Sequence, residues 1–310
     1  MKLAAIVGPT AVGKTQIALE VAERLGGEIL SCDSMQVYRG MDIGTAKASP
    51  QDRARVPHHL LDLVDPGVNY TVADYQQAAR ELIQQLNQRG VLPIMVGGTG
   101  LYYQAVVDNY HFLPMPGRRE VRRRLEEEAD LSLAALFERL RRVDPAAARV
   151  IKPGDRKRII RALEVYEVTG LPFSSFQVRD RNAYRLAAVG LFTERRELYR
   201  RIEERVDKMI EDGLVEEVAG LYRRGYDLPL NSMQALGYRQ VLHYLKGYTT
   251  LPETVAAIKK ETRRYAKRQM TWFRKDDRIK WFNVAEYKET GYLVEKICDY
   301  ISRTLENHVE

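Results

Sequence analysis

Cysteine is scarce in this chain, and long apolar runs are missing. Its 310 residues include two cysteines, Cys32 and Cys298, too few for a disulfide framework or a four-ligand zinc site. We therefore expect a reducing, cytoplasmic setting. No apolar run approaches the roughly 20 residues that span a bilayer. Met1-Lys2 leads directly into an apolar strand, so we expect no signal peptide. We expect no membrane partner.

Positive charge is concentrated near the C-terminal end. The net charge of the chain is +7, and the 22 residues from Lys259 to Lys280 hold ten Lys or Arg against three acids, which equals the whole excess. Aromatic residues (Tyr265, Trp272 and Phe273) lie among these charges. A basic run is usually a solvated helix face, but basic and aromatic residues together are also typical of a nucleic-acid surface. Both interpretations remain open from the charges alone.

A glycine-rich phosphate-binding loop opens the chain. Residues 8–15 read GPTAVGKT, a full match to G-x-x-x-x-G-K-[ST], between an apolar strand and an amphipathic helix. Backbone N–H groups of such a loop bind phosphate oxygens, helped by the helix N-terminus. Lys14 should pair with the terminal phosphate, and Thr15 should place its hydroxyl on Mg²⁺. The motif predicts a bound di- or triphosphate without identifying it as ATP.

Polar residues follow two further apolar runs. The run Glu28–Cys32 ends at Asp33, and in open α/β sheets ligands lie beyond the carboxyl ends of the strands. Asp33 is therefore a candidate base or ligand contact, or else the cap of a turn. The run Val91–Val96 ends in glycines and Thr99, where a P-loop NTPase usually carries a magnesium-binding acid. This argues against ordinary ATP hydrolysis, and Thr99 is predicted to point its hydroxyl at the phosphate site.

Strand and helix patterns alternate at both ends of the chain, with helices alone between them. We predict an α/β fold with a P-loop NTPase-like parallel sheet core over residues 1–113 and 185–310, including C-terminal helices. Residues 114–184 are predicted to be an all-helical insertion, basic and large enough to grip a macromolecule. Within the core we expect a strand over 57–64, a helix over 234–245, and a mobile loop around Thr45 and Lys47 that closes over a substrate.

Taken in order, these stretches resemble the bacterial tRNA dimethylallyltransferase family, also called isopentenyl-tRNA transferases. The phosphate loop alone is unspecific, but the ordered set extends over nearly the whole chain. It comprises 8–15, 33–38 (DSMQVY), 44–47 (GTAK), 57–60 (PHHL), 97–102 (GGTGLY), 158–164 (RIIRALE), 237–239 (GYR) and 265–274 (YAKRQMTWFR). Eukaryotic relatives often append a Cys/His zinc module, whereas this chain has only Cys298 near its end and resembles the bacterial form.

The resemblance implies transfer of a dimethylallyl group from dimethylallyl diphosphate to N6 of adenosine 37 in tRNA, with Mg²⁺ and without ATP. It makes Asp33, Thr99 and Lys14 the catalytic residues. Asp33 would accept the N6 proton, Thr99 would bind near the bridging oxygen, and Lys14 would stabilise the departing diphosphate. The implied diphosphate-binding set is Gly8, Thr10, Ala11, Val12, Gly13, Lys14, Thr15 and Arg205, with Arg201 lying one helical turn from Arg205.

The same resemblance implies contacts with the anticodon stem-loop of tRNA. Adenosine 37 must leave its stack to react, so recognition should combine phosphate contacts with reading of splayed bases. The helical insertion is expected to bind tRNA, and we expect the protein to act as a monomer. The implied tRNA-binding residues are Asp33, Ser34, Met35, Gln36, Thr99, Arg122, Lys157, Arg158, Arg161, Gln234, Gly237, Tyr238, Arg239, Lys267 and Arg268.

Three other functions are compatible with parts of the sequence. A small-molecule or nucleoside kinase would use the same loop, with Asp33 as base and the insertion as a lid, but it requires ATP and leaves the basic segment 259–280 unexplained. A transferase that prenylates free adenine nucleotides would not need so much basic surface. A non-enzymatic RNA-binding module would not need Lys14 or Asp33.

Overall fold

The structure of the protein is a computed structural model, which describes residues 1–112, 118–176 and 179–306. The described residues fall into two compact units. One consists of those within Met1–Val107 and Asn182–Glu310, and the other of those within Asp108–Arg181. The boundaries predicted from the sequence, at 113/114 and 184/185, lie a few residues later than both of these.

The chain alternates strands and helices in the first unit and has helices in the second. Short 3-10 turns occur at Phe173–Phe176, Ser232–Gln234 and Val284–Glu286. The longer elements are β1 (Lys2–Val7), α1 (Lys14–Leu25), β2 (Gly27–Cys32), α2 (Pro50–Arg55), β3 (His58–His59), α3 (Val72–Gln88), β4 (Leu92–Gly97), α4 (Gly100–Val107), α5 (Arg118–Val143), α6 (Pro145–Val150), α7 (Arg156–Thr169), β5 (Arg185–Phe192), α8 (Arg195–Glu211), α9 (Leu214–Arg223), α10 (Tyr238–Leu245), α11 (Leu251–Phe273), β6 (Ile279–Asn283) and α12 (Thr290–Glu306).

The strands form one parallel sheet with the order β3-β2-β4-β1-β5-β6. Its register pairs Val7 of β1 with Gly97 of β4, and Gly97 with Cys32 of β2. Because these three strands end at one level, the segments that follow them begin side by side at the carboxyl edge. Ligands of open parallel sheets bind at this edge. The predicted α/β class with a P-loop-type parallel core is confirmed.

Successive side chains of β1 enter two different cores. Leu3, Ala5 and Val7 pack with residues of α3, α4, α9 and α10, whereas Ala4 and Ile6 pack with residues of α1, α8 and α12. The reason is that side chains alternate between the faces of a strand, and helices cover both faces of this sheet. This double burial explains why the first strand is apolar from Leu3 to Val7.

The second unit is helical over its described residues and has an apolar core of its own. α5 bends at Ser132 (φ −160°, ψ 96°), whose hydroxyl accepts the Ala135 N–H at 3.2 Å and restarts the helix. Leu125 and Leu140 of α5 and Leu163 of α7 are fully buried against one another in this core.

Two predicted elements are shorter than expected. The strand over 57–64 is reduced to the two residues of β3, because Leu60 and Asp62 take φ values of 62° and 54°, a left-handed conformation that ends extended pairing. The helix over 234–245 begins only at α10, since Gly237 has φ 93° and separates it from a 3-10 turn.

Candidate active site

The phosphate loop joins β1 to α1 with two glycines that no other residue replaces easily. Gly8 has φ 148°, and a Cβ there would lie 2.5 Å from the carbonyl oxygen of Leu191 on β5. Gly13, the residue before α1, has φ 102°. The loop therefore passes close to the neighbouring strand and runs straight into the N-terminus of α1, whose free N–H groups favour an anion.

Lys14 folds back onto the loop from the first turn of α1. Its Nζ donates to the carbonyl oxygens of Gly8 (3.0 Å) and Pro9 (2.8 Å). Desolvation by burial, followed by the charge of Arg205, lowers the pKa of Lys14 to about 7, and the carboxylate of Asp33 opposes that change. An ammonium destabilised in this way gains strongly from an arriving anion.

Asp33 begins a turn directly after β2. Its Oδ1 accepts the backbone N–H of Met35 at 2.9 Å, so the residue caps a turn, as one of the two sequence interpretations proposed. Burial raises the pKa of the Asp33 carboxyl, while the Met35 N–H and the charge of Lys14 act to lower it. Turn capping therefore does not prevent Asp33 from facing the cavity, which it lines.

Thr99 lies beside this turn because β2 and β4 approach closely at their ends. A Cβ at Gly97 would lie 2.1 Å from the carbonyl oxygen of Cys32, so only glycine allows the approach. The hydroxyl of Thr99 accepts the Ser34 N–H at 3.1 Å and also hydrogen-bonds with the Tyr265 side chain. The hydroxyl thus faces the turn after β2 and Tyr265 of α11, and Thr99 does not itself line the cavity.

Gln269 of α11 is a site residue that sequence reasoning missed. Its Oε1 accepts the Thr10 N–H of the phosphate loop at 2.9 Å, and its Nε2 donates to the Gly98 carbonyl at 2.9 Å. The side chain is buried, and a Cβ on Gly98 would lie 2.1 Å from Nε2. In the sequence, Gln269 is a neutral polar residue at a position of the helical pattern that should be buried. It was overlooked because the residues around it are mostly basic.

The structure distinguishes Arg205 from Arg201 on α8. Arg201 donates to Glu197 at 2.7 Å, whereas Arg205 makes no ion pair within the described part of the chain. Burial lowers the pKa of Arg205, and the charge of Asp33 partly offsets this. A partly buried cation without a carboxylate partner is suited to an anionic ligand.

A cavity of about 410 Å³ brings most of the predicted site residues together. This is within the usual range for small-molecule sites. Apolar side chains of α8 and α11, including Ile202, Val206 and Ile258, form part of its wall. The predicted residues that line it are Thr10, Lys14, Thr15, Asp33, Ser34, Met35, Gln36, Arg205, Gln234, Gly237, Arg239 and Arg268.

Tyr238 and the loop around Thr45 and Lys47 both differ from expectation. Tyr238 is fully buried, and its hydroxyl donates to Glu217 at 2.6 Å, so its side chain has no surface to offer an RNA. The loop around Thr45 is not loosely held either. The Lys47 side chain is 1% exposed and donates to the Tyr38 carbonyl at 2.8 Å and to two carboxylates. The side chains of Tyr238 and Lys47 therefore lie behind the cavity wall and are not part of its surface.

The basic segment 259–280 is partly neutralised within the same unit. Lys259 pairs with Asp207 at 2.6 Å, and Arg263 pairs with Glu203 at 2.5 Å, both acids lying on α8. Lys267 is exposed and forms no ion pair among the described residues. Part of the charge run is therefore structural, and part remains available to a ligand.

The cations predicted in the second unit are mostly paired locally. Arg122 donates to Glu126 at 3.0 Å, Arg158 lies 3.5 Å from Asp155, and Arg161 donates to the fully buried Glu164 at 2.7 Å. Lys157 lies directly before Arg158 on the first turn of α7 and is exposed.

Few protein ligands for a metal are present at the site. In the described ranges no three His, Cys, Asp or Glu side chains form a metal-binding group. Mg²⁺ nevertheless needs few protein ligands, because it keeps several waters and binds phosphate oxygens. The exposed Thr15, at the start of α1 and on the cavity wall, fits such a role. The described helices include none that is long and apolar enough to cross a membrane.

Fold and site together define a P-loop α/β protein with a cationic cavity at the carboxyl edge of its sheet. The model of the IPP transferase family matches residues 36–276. The tRNA dimethylallyltransferases of Syntrophomonas wolfei and Moorella thermoacetica are 57% and 53% identical to this chain. The matches cover 97% and 99% of this chain, respectively, and 97% of each relative.

Solved structures agree with this result. The full-length tRNA isopentenylpyrophosphate transferase of Bacillus halodurans superimposes with a TM-score of 0.75 at 43% identity, covering 98% of this chain and 97% of that one. A eukaryotic dimethylallyltransferase acting on tRNA superimposes with a TM-score of 0.80 at 27% identity, covering 97% and 80%. The chain belongs to the tRNA dimethylallyltransferase family, prenyltransferases that modify tRNA, and the resemblance found in its sequence is confirmed.

Proposed function

We propose that this protein transfers the dimethylallyl group of dimethylallyl diphosphate to N6 of adenosine 37 in tRNA and releases diphosphate. The observation that supports this best is one cavity lined by Thr10, Lys14 and Thr15 of the phosphate-loop motif, by Arg205 and by the turn after β2. Cations along one part of the wall suit a diphosphate, and Asp33 offers a proton acceptor for a base. Apolar side chains of α8 that line the same cavity suit a short hydrocarbon group.

The reaction breaks the bond between C1 of the donor and the bridging oxygen, and it forms a bond between C1 and N6. The N6 lone pair is delocalised into the adenine ring, so the amine is a weak nucleophile. Asp33 would accept the N6 proton as the new bond forms, which keeps the product neutral. Its pKa, raised by burial, makes the carboxylate a better base than an exposed aspartate.

The electron pair of the broken bond moves onto the departing diphosphate. Lys14, Arg205 and the loop N–H groups would stabilise that growing charge electrostatically. The hydroxyl of Thr99 would hydrogen-bond near the bridging oxygen. Thr15 would hold Mg²⁺, which when bound supplies further charge neutralisation on the diphosphate oxygens.

Binding of tRNA is proposed to involve two groups of residues. Ser34, Met35, Gln36 and Arg239 line the cavity and would receive the flipped adenosine and its neighbours in the anticodon stem-loop. The basic helices of the second unit, with Lys157 exposed on α7, would contact phosphates. We further propose a cytoplasmic monomer.

One incubation tests the proposal. The protein, Mg²⁺, dimethylallyl diphosphate and an anticodon stem-loop RNA with an A-A-A run centred on position 37 are combined with and without ATP, and the RNA is analysed by mass spectrometry. We expect a gain of one C5H8 unit without ATP, and none when position 37 is not adenosine. An unmodified RNA, together with ATP turnover, would contradict the proposal and favour a kinase.

A further inference from the structure

One carboxylate outside the proposed catalytic set accepts four hydrogen bonds. Glu217 of α9 accepts the backbone N–H groups of Asp42 (2.9 Å), Ile43 (2.8 Å) and Gly44 (3.3 Å), and the hydroxyl of Tyr238 (2.6 Å). Three successive N–H groups around one anion form a backbone nest. Here the anion is a side chain of the same protein, 173 to 175 residues further along the chain.

The loop held by Glu217 in turn orients Gln36. The Nε2 of Gln36 donates to the carbonyl oxygens of Thr45 (3.0 Å) and Ala46 (3.3 Å), and its Oε1 accepts the Ser31 hydroxyl at 2.7 Å. The position of the Gln36 amide therefore depends on where residues 44–46 lie.

This network has little space in which to relax. A Cβ on Gly44 would lie 2.4 Å from the ring of Tyr238 and 2.9 Å from Leu214, so the loop packs directly on the start of α10 and on α9. Residues 44–46, Gln36 and Gly237 all line the cavity. The carboxylate thus joins two segments of the cavity wall that are distant in sequence.

We propose that Glu217 is a positioning residue for the acceptor adenosine. It fixes the loop 44–46 against the start of α10, and through that loop it fixes Gln36, so the wall of the cavity on the RNA side is formed before tRNA enters. The inference rests on the proposed function. In the described residues no hydrogen bond connects Glu217 to the phosphate loop or to Arg205, so the diphosphate side should be insensitive to its loss.

The test compares Glu217→Ala and Glu217→Gln with the matched control Glu216→Ala. Glu216 is exposed on the same first turn of α9, so its loss removes the same helix-dipole interaction without the four hydrogen bonds. Glu217→Ala leaves three N–H donors and one O–H donor without their acceptor. Glu217→Gln keeps one side-chain oxygen, which can still accept some of these hydrogen bonds.

We expect Glu217→Ala to raise the KM for the stem-loop RNA about tenfold, the equivalent of one hydrogen bond to a charged group. Glu217→Gln should lie between Glu217→Ala and wild type, and Glu216→Ala should match wild type. The KM for dimethylallyl diphosphate should stay within about twofold in all three variants, and direct binding of labelled stem-loop RNA should follow the RNA KM.

A parallel rise in both KM values would show that Glu217 supports the whole site and not the RNA side in particular. A lower melting temperature with unchanged RNA binding would show that Glu217 acts on stability alone. If Glu217→Ala does not fold, Glu217→Gln decides the question by the same comparison. A wild-type protein that transfers nothing to RNA would overturn the proposed function itself, which is a different result from active variants that equal wild type.

Discussion

Binding of dimethylallyl diphosphate should be coupled to protonation of Lys14. In the free protein, burial and then the charge of Arg205 lower the pKa of Lys14 to about 7. A diphosphate in the cavity brings anionic oxygens to the ammonium, which favours its charged form and raises this pKa. We therefore expect binding above pH 7 to take up a proton from the buffer.

The size of the effect follows from the position of that pKa. A group that titrates near pH 7 is about nine-tenths neutral at pH 8 and about one-tenth neutral at pH 6. If the bound form titrates above about pH 9, uptake amounts to about 0.8 to 0.9 proton per ligand at pH 8 and about 0.1 at pH 6. By the same linkage, affinity should weaken by up to about tenfold per pH unit above 7.

Isothermal titration calorimetry in two buffers with different ionisation enthalpies measures this uptake directly. Lys14→Arg is the control, because its guanidinium stays charged throughout the range and takes up no proton. Asp33 also lines the cavity, and burial raises its pKa, so Asp33→Asn tests this second group and should leave the uptake in place. Equal enthalpies for the wild type in both buffers, or uptake that persists in Lys14→Arg, would refute the reasoning.

Three further variants test other parts of the protein. Asp33→Asn should slow transfer by about 10²- to 10⁴-fold with stem-loop affinity nearly unchanged, and a matching loss of affinity would make Asp33 a binding contact instead of a base. Gln269→Ala should leave the buried Gly98 carbonyl and the partly buried Thr10 N–H without their partner and lower the free energy of unfolding by about 1 to 3 kcal/mol. An unchanged midpoint in urea titrations would contradict this. Replacing Lys157, Arg158 and Arg161 by alanine should flatten the salt dependence of tRNA binding, and an unaltered slope would exclude this helix from the interface.

Local backbone requirements explain why the phosphate loop was predictable. Gly8 and Gly13 have positive φ, which favours glycine at these positions. The strand before the loop and the helix after it can each be recognised from the pattern of apolar residues in their own sequence. The sequence predicted that Asp33 and Thr99 lie near each other, because each follows a strand and parallel strands end at a common edge. The distances between them depend on the register, which the sequence does not state.

The error in the length of β3 coincides with an ion pair to another loop. The run 57–64 is apolar enough for a strand, yet Asp62 takes a left-handed conformation. Its carboxylate accepts a hydrogen bond from the buried Lys47 ammonium at 2.7 Å. An ion pair formed across a loop outweighed local β propensity at this position. Tyr238 was expected at the RNA surface because of its motif, but its ring fills the space beside Gly44.

The sequence by itself determined the class of fold, the phosphate loop and the family, because each depends on residue types in local order. The tertiary structure alone decided which side chains complete the site. Gln269 reaches a loop N–H 259 residues away, and Glu217 fills a nest more than 170 residues earlier. Arg205 lines the cavity and has no carboxylate partner among the described residues, whereas Arg201 pairs with Glu197. Hydrogen bonds and ion pairs of this kind depend on distances across the packed sheet and helices, and local periodicity contains no information about those distances.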